Sequence, residues 1–320
     1  MQKWMLIQNN QVITGDVSLY TQWKQTPGAL LWVDIEGAVD DADHKLLVEM
    51  LAMPEAEVRD ALRDRHPPVF SGDRDLLFLL MKPLDSESHT LDFNTQQMAM
   101  FAAQNFVVTR HNKESEYLQT LWSKVASGER KVSSSYHVVA LMARRMVTRY
   151  GKILLNLEER LDQIEDTFMQ DLDEALMQEL VGYNTALRKM RRILKYHVSV
   201  LEQLSRYSQR LKLDDWSDEY EDIASQAERF NSLAELYQTV INDLIEGYIS
   251  LNSHRLNQVM RILTVVTVVF LPLSLLVGVY GMNFEYMPEL KSQYGYFILI
   301  AVMAGIASTL AYIFRRMRWL

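Results

Sequence analysis

Cysteine is absent from all 320 residues, which excludes disulfides and thiolate metal sites alike. Proline is nearly absent from the middle of the chain. After Pro83 the next is Pro272, and the 188 residues between hold only four glycines. A stretch so poor in helix breakers is the composition of long helices. A basic excess is also missing. The net charge of −8 argues against nucleic acid as a partner, because phosphate binding needs a basic surface. The opening stretch "MQKWMLIQNNQVITG" lacks the apolar core of a secretory signal, so whatever lies before the hydrophobic tail is expected in the cytoplasm. No Ser/His/Asp or paired-carboxylate constellation has the local support an enzyme would need. The seven histidines are scattered, and each reads as solvated or structural and not as a ligand. An organic cofactor is not expected.

Two long uncharged runs do stand out. Ile262 to Phe284, "ILTVVTVVFLPLSLLVGVYGMNF", and Ser292 to Phe314, "SQYGYFILIAVMAGIASTLAYIF", each hold 23 residues without a charge. About 20 apolar residues cross a bilayer as a helix. Arg255 and Arg261 precede the first run, and Arg315, Arg316 and Arg318 follow the second. The segment between carries Glu285 and Glu289 against one Lys291. The positive-inside rule then places both termini in the cytoplasm and a short acidic loop outside, in an inner (cytoplasmic) membrane crossed twice.

Residues 1–130 read as a cytoplasmic α/β domain. "LLWVDIEG" (Leu30–Gly37), "DLLFLLMKPL" (Asp75–Leu84) and "QMAMFAAQNFVVTRH" (Gln97–His111) are short apolar or β-branched runs bounded by turn formers. Between the first two, "DDADHKLLVEMLAM" and "PEAEVRDALRD" have helical spacing, with Pro54 suited to a helix start. Residues 131–215 read as long antiparallel helices, with apolar positions such as Leu154, Leu157, Leu161 and Ile164 at steps of three and four and breaks near Asp171–Glu174 and Leu211–Ser217. Residues 216–284 then read as one stalk helix continuing into the first span. Its 55–60 proline-free residues before Pro272 would extend about 85 Å at about 1.5 Å each. A loop at 285–295, a second span at 296–314 and a basic tail at 315–320 complete the chain. The fold class expected is an α+β cytoplasmic domain followed by long helices and a two-helix transmembrane segment.

Two acidic stretches lie on these helices. Nine acids and one base fall between Glu158 and Glu179, and "LDDWSDEYED" (Leu213–Asp222) has six acids in its last nine positions. Such runs suit a solvated face; as ligands they suit hard cations such as Mg²⁺. On the first span, positions 257, 260, 264, 267, 271, 274, 278 and 281 step by three and four. They carry Asn257, Met260, Thr264, Thr267, Leu271, Ser274, Gly278 and Gly281. This stripe gathers every hydroxyl of the span except that of Tyr280. It fits close packing between membrane helices or, in an oligomer with cyclic symmetry, a pore lining with Met260 and Leu271 as constrictions.

The stretch "YGMNFEYMPEL" resembles the signature of the CorA family of magnesium and cobalt transport proteins, in which Tyr-Gly-Met-Asn ends the first of two C-terminal spans. The resemblance covers the whole layout, down to a basic tail ending in Trp319 and Leu320. It implies a homopentameric funnel in the lipid bilayer whose first span lines the pore. It further implies a selectivity ring at Gly281, Met282 and Asn283, holding a cation through its water shell. Glu285 and Glu289 would concentrate cations just outside. The family's inner pore positions correspond to Asn257, Met260, Leu263, Leu271, Ser274 and Gly278, joined by Thr264 and Thr267 on the stripe. Mg²⁺ would be both transported and regulatory, sensed at Asp222 with a neighbouring subunit's carboxylate, for which Asp73 and Asp75 are candidates; Glu246 matches an acidic position at the inner mouth. Bound Mg²⁺ would hold a closed ring. One branch of the same superfamily transports Zn²⁺, an alternative that the intact Met282 disfavours. A membrane-anchored sensor without flux is the remaining reading.

Overall fold

The computed structural model describes the chain except Asn10, Val39, Asp64, Arg65, Arg74, Asp75, Leu320 and residues 168–173, 212–213, 284–286 and 288–291, together with the side chains of 167, 214 and 215. Asp75, Glu285 and Glu289, expected as site residues, therefore lie outside the described residues. The described residues form two compact units, Met1–Leu244 and Ile245–Leu320.

The first unit is built on seven strands, β1 (Gln2–Gln8), β2 (Gln11–Gly15), β3 (Leu30–Glu36), β4 (Val69–Gly72), β5 (Leu77–Met81), β6 (Met98–Ala103) and β7 (Phe106–His111), in the order β2-β1-β3-β7-β6-β5-β4. Only β3 and β7 pair in parallel, with Asp34 opposite Thr109 and Glu36 opposite His111. The other pairings are antiparallel. β3, β5 and most of β6 and β7 are buried, which is why they read as continuous apolar runs instead of alternating ones.

Alternate side chains along these strands feed two cores. Trp4, Leu6, Leu31, Val33, Ile35, Phe78 and Phe101 face helix α1 (Ser18–Gln25), the π-helical turn Leu46–Met50 that follows α2 (Asp41–Lys45), and α3 (Glu55–Leu62). Met5, Trp32, Leu79, Met100 and Val107 face the other way, onto α4 (Glu116–Ala126) and the long helices α5 (Ser135–Thr167), α6 (Glu174–Arg210) and the start of α7 (Asp214–Tyr280). Pro54 takes the N-cap position of α3, and Asp40 caps α2 by accepting from the Ala42 amide at 3.3 Å. At Gly151 on α5, an added Cβ would lie 2.1 Å from the Phe230 ring of α7, so glycine is required for that crossing.

The second unit contains the rest of α7 and α8 (Gly295–Arg316), the two helices apolar and long enough to cross a membrane. The first uncharged run extends to Phe284, but the helix stops at Tyr280. Gly281 closes the last turn through its amide to Val277 O at 2.9 Å, and Met282 N bonds back three residues to Val279 O at 3.3 Å. Absence of charge sets the length of the run and does not mark where the helix ends. α8 likewise starts at Gly295 and ends at Arg316, three residues inside the start of its run and two beyond its end.

Candidate ion pathway and regulatory carboxylates

Within the second unit, α7 presents two different sides. Val265 is buried, and Val268 and Pro272 line a groove with Val302, Gly305, Ile306, Thr309 and Leu310 of α8. At about 100° per residue, positions 265, 268, 272 and 276 share one side of the helix. Positions 260, 264, 267, 271, 274 and 278 centre about 125° away. The stripe of hydroxyls and glycine thus occupies a different side of the helix from the one centred on the groove with the neighbouring span. Asn257, Met260, Leu263, Thr267, Leu271, Ser274 and Gly278 are exposed, and Thr264 is half-buried. Small residues at membrane-helix contacts usually serve close packing, but here the contact with α8 uses the valine and proline side.

Two hydroxyls of the stripe bond back to their own helix. Thr264 Oγ1 donates to Met260 O at 2.7 Å, and Thr267 Oγ1 donates to Leu263 O at 2.8 Å. Each hydroxyl hydrogen is committed to the helix, so what the oxygen offers outward is its lone pairs. Met260 and Leu271, both largely exposed, are the bulky apolar members of the same side. Just past the helix end, Gly281, Met282 and Asn283 are all exposed. A Cβ on Gly281 would lie 3.1 Å from the Val277 carbonyl oxygen, tight enough to disturb the closing turn that carries Asn283. Glu246 is exposed on α7.

In the first unit, Asp222 does not stand alone. Arg144 of α5 donates through Nη2 to Asp222 Oδ2 at 2.8 Å and through Nε to Glu219 Oε1 at 2.8 Å. Burial works against the charge on Arg144, but Glu219 and Asp222 outweigh it and hold the guanidinium above its ordinary value. Sequence reasoning missed both Arg144 and Glu219. Arg144 sits in an ordinary-looking Arg-Arg pair 78 residues before Asp222, and only the antiparallel helices bring it there. Asp73 is exposed at the end of β4, its amide donating to Leu76 O at 3.0 Å and its carbonyl accepting from the Tyr207 hydroxyl. No bond joins its carboxylate to Asp222 among the described interactions. The acidic stretch after Glu158 has at least one neutralising partner, since Arg160 holds both oxygens of Glu179 at 2.8 Å.

An α/β unit, a long helix entering an apolar segment and a second apolar helix define a membrane protein with a sizeable soluble part. Residues 27–316 match the family described as CorA-like Mg²⁺ transporter protein, and the chain belongs to that family, one of divalent cation transporters. The cobalt/magnesium transport protein CorA of Methanocaldococcus jannaschii is 25% identical over 299 residues, covering 91% of this chain and 92% of its own. The solved structure of that magnesium transporter superposes with a TM-score of 0.79 at 21% identity, over 100% of this chain and 99% of the other. Full-length CmaX superposes with a TM-score of 0.82 at 19% identity, over 99% and 97% of the two chains. The divalent cation transporter CmaX of Pseudomonas aeruginosa is 23% identical over 97% of this chain and 91% of its own. At these identities the structural likenesses establish the fold.

Proposed function

We propose that the chain is a Mg²⁺ channel, also passing Co²⁺ and Ni²⁺, in which five copies place α7 around a central pore. The observation that carries this reading is the orientation of the stripe. Thr264, Thr267, Leu271, Ser274 and Gly278 form a side of α7 centred about 125° from the side that packs in the groove with α8. A side that collects hydroxyl oxygens and glycine yet is centred off the contact with its own hairpin partner is best satisfied by copies of itself around an axis. Met260 and Leu271 then form constrictions that close by dewetting. Gly281, Met282 and Asn283 form the selectivity ring, where Asn283 amides hold the ion through its waters. Mg²⁺ suits that arrangement because it dehydrates reluctantly. Glu285 and Glu289 concentrate cations at the outer mouth and Glu246 does so at the inner one.

Regulation falls to Asp222, with Asp73 or Asp75 of another copy as partner. Mg²⁺ bridging copies holds a symmetric closed state, and its loss lets the carboxylates repel and the gate wet. Residues 216–284 act as stalk and first span, 285–295 as the outer loop and 315–320 as a cytoplasmic tail, in an inner membrane with both termini inside.

Ion flux into liposomes containing the purified protein, across Mg²⁺, Co²⁺, Ni²⁺ and Zn²⁺ and with or without a proton gradient, tests the proposal. Mg²⁺ entry driven by membrane potential is expected. Flux of Zn²⁺ alone, or flux strictly dependent on a proton gradient, overturns the Mg²⁺ reading. Cross-linking that yields nothing above a dimer dismisses the pore.

A further inference from the structure

Where the parallel strands β3 and β7 end, Asp34, Glu36 and His111 bring one ligand atom each to within 4.8 Å of one another. Asp34 and Glu36 are two residues apart on β3 and so share a face; His111 is opposite Glu36 on β7. The side chains of His111 and Asp34 are 0% and 4% exposed.

The hydrogen-bond partners fix the histidine tautomer. His111 Nδ1 lies 2.5 Å from the Lys113 carbonyl oxygen, which can only accept, so Nδ1 carries a hydrogen. His111 Nε2 faces Asp34 Oδ1 at 3.2 Å. That carboxylate oxygen already accepts from Thr109 Oγ1 at 2.7 Å, and Thr109 in turn accepts from Trp32 Nε1 at 3.2 Å. In a neutral imidazole, the remaining Nε2 lone pair would point at a carboxylate oxygen in a dry interior. Two buried acceptors held this close require a cation between them.

That cation is either a second proton on His111 or a metal ion. At 3.2 Å the contact is long for an ionic N–H···O bond, which runs at about 2.7–2.9 Å, yet still within hydrogen-bond range. The proton alone therefore accounts for the pair but not for a third donor beside it. Metal–ligand bonds of about 2.0–2.2 Å separate adjacent nitrogen and oxygen ligands by roughly 3.0–3.4 Å, which fits. A third donor is at hand in Glu36, whose side chain is 22% exposed and gives the site an entrance; Lys3 is 3.8 Å from its Oε2. An imidazole whose Nδ1–H donates to a backbone carbonyl is also the usual support for metal ligation through Nε2.

We propose that Asp34, Glu36 and His111 bind a first-row transition-metal ion, of the class of Mn²⁺, Co²⁺, Ni²⁺ or Zn²⁺, within the α/β unit. One imidazole with two carboxylates favours these ions over Mg²⁺, which prefers oxygen ligands throughout. The site gives the soluble unit a means of distinguishing a transition metal from Mg²⁺ that the oxygen-only groups of the ion pathway lack.

The test uses the full-length protein in detergent, stripped with a chelator and given less than one equivalent of Mn²⁺ in excess Mg²⁺. Pulsed electron paramagnetic resonance should show coupling to an imidazole nitrogen, and His111→Gln should abolish it. Absence of nitrogen coupling, or coupling that survives His111→Gln, overturns the proposal. The buried His111 variant could fail to fold, so the half-exposed rim supplies a second measurement. Glu36→Gln should weaken Mn²⁺ retention in equilibrium dialysis at least ten-fold with the melting curve unchanged, and unchanged retention overturns the three-residue site.

Discussion

Arg144 reaches Asp222 at 2.8 Å and Glu219 at 2.8 Å, so one guanidinium on α5 serves two carboxylates on successive turns of α7. For a regulatory cation at Asp222 this arginine is a built-in competitor. Side chains of the pair are 38% and 53% exposed, which limits their interaction to about 1 kcal/mol after solvent screening. Removing the competitor should therefore tighten regulatory binding by up to about five-fold. Arg144→Gln is expected to lower the internal Mg²⁺ concentration that half-inhibits flux by up to that factor. Asp222→Asn should raise it. Inhibition curves on proteoliposomes with set internal Mg²⁺ decide, and an Arg144→Gln curve shifted to higher Mg²⁺ would show that the arginine supports the site and does not compete for it.

Leu271 and the buried Val265 lie about 120° apart around the same helix, which separates a gating effect from a packing effect. Leu271→Asn introduces a polar group at the proposed constriction and should wet it, raising Mg²⁺ leak at high internal Mg²⁺ about ten-fold or more. Val265→Asn puts the same group at the buried position of the other side. It should lower thermal stability of the detergent-solubilised protein without adding leak. Equal leak from both variants would remove the distinction between the two sides.

The sequence was most legible where the solvent is most demanding. A bilayer tolerates no charge, so two uncharged runs locate the end of α7 and the whole of α8 within a few residues, and the three-four step of the stripe survives because a membrane helix is regular. The expected breaks at Asp171–Glu174 and Leu211–Ser217 fall partly on residues outside those described; the described helices end at Thr167 and Arg210 and resume at Glu174 and Asp214, so the second helix start lies before Ser217. The N-terminal hairpin and β4 were not legible. β2 is exposed along most of its length and β4 is only half-buried, so neither carries an apolar signal. The Asp34–His111 pair was hidden for another reason. Each residue looks unremarkable in its own segment, and only the parallel pairing of β3 with β7 joins them. The one available clue was an aspartate inside the apolar run "LLWVDIEG", where an unpartnered charge would be costly. Arg144 was unreadable in the same way, because its role depends on a contact 78 residues away.

His197 supplies an acid-sensitive element of the soluble unit. It is fully buried on α6, and its Nε2 accepts from the Lys82 amide at 3.0 Å, which requires a neutral ring at that nitrogen. Burial, aided by the charge of Lys82, pushes its pKa down from 6.5 to about 3. Between those values the unfolded chain binds the extra proton and the folded chain does not. The stabilising contribution is thus present above pH about 6.5 and lost as pH falls towards about 3, at roughly 1.4 kcal/mol per pH unit. The melting temperature of the full-length protein should drop between pH 6.5 and 4, and less steeply in His197→Gln. Parallel pH profiles for the two proteins would mean that His197 does not carry this acid sensitivity.

The end of α7 allows the proposed ligand to be separated from the turn that holds it. Asn283 is exposed beyond the helix, whereas Gly281 makes the closing bond to Val277. Asn283→Ala removes an amide without touching that turn, so Mg²⁺ uptake should fall at least ten-fold while cross-linking still yields the full oligomer. Gly281→Ala leaves Asn283 in place but sets a methyl group about 3.1 Å from the Val277 carbonyl, closer than a comfortable contact. The turn must give by a few tenths of an ångström, and the amide moves with it. A selectivity ring depends on placement as well as chemistry. Gly281→Ala should therefore lower uptake to an intermediate level and admit Co²⁺ and Ni²⁺ in altered proportion. Uptake unchanged in Asn283→Ala would remove the amide from the pathway. Uptake lost in Gly281→Ala but kept in Asn283→Ala would assign selection to the backbone of the turn.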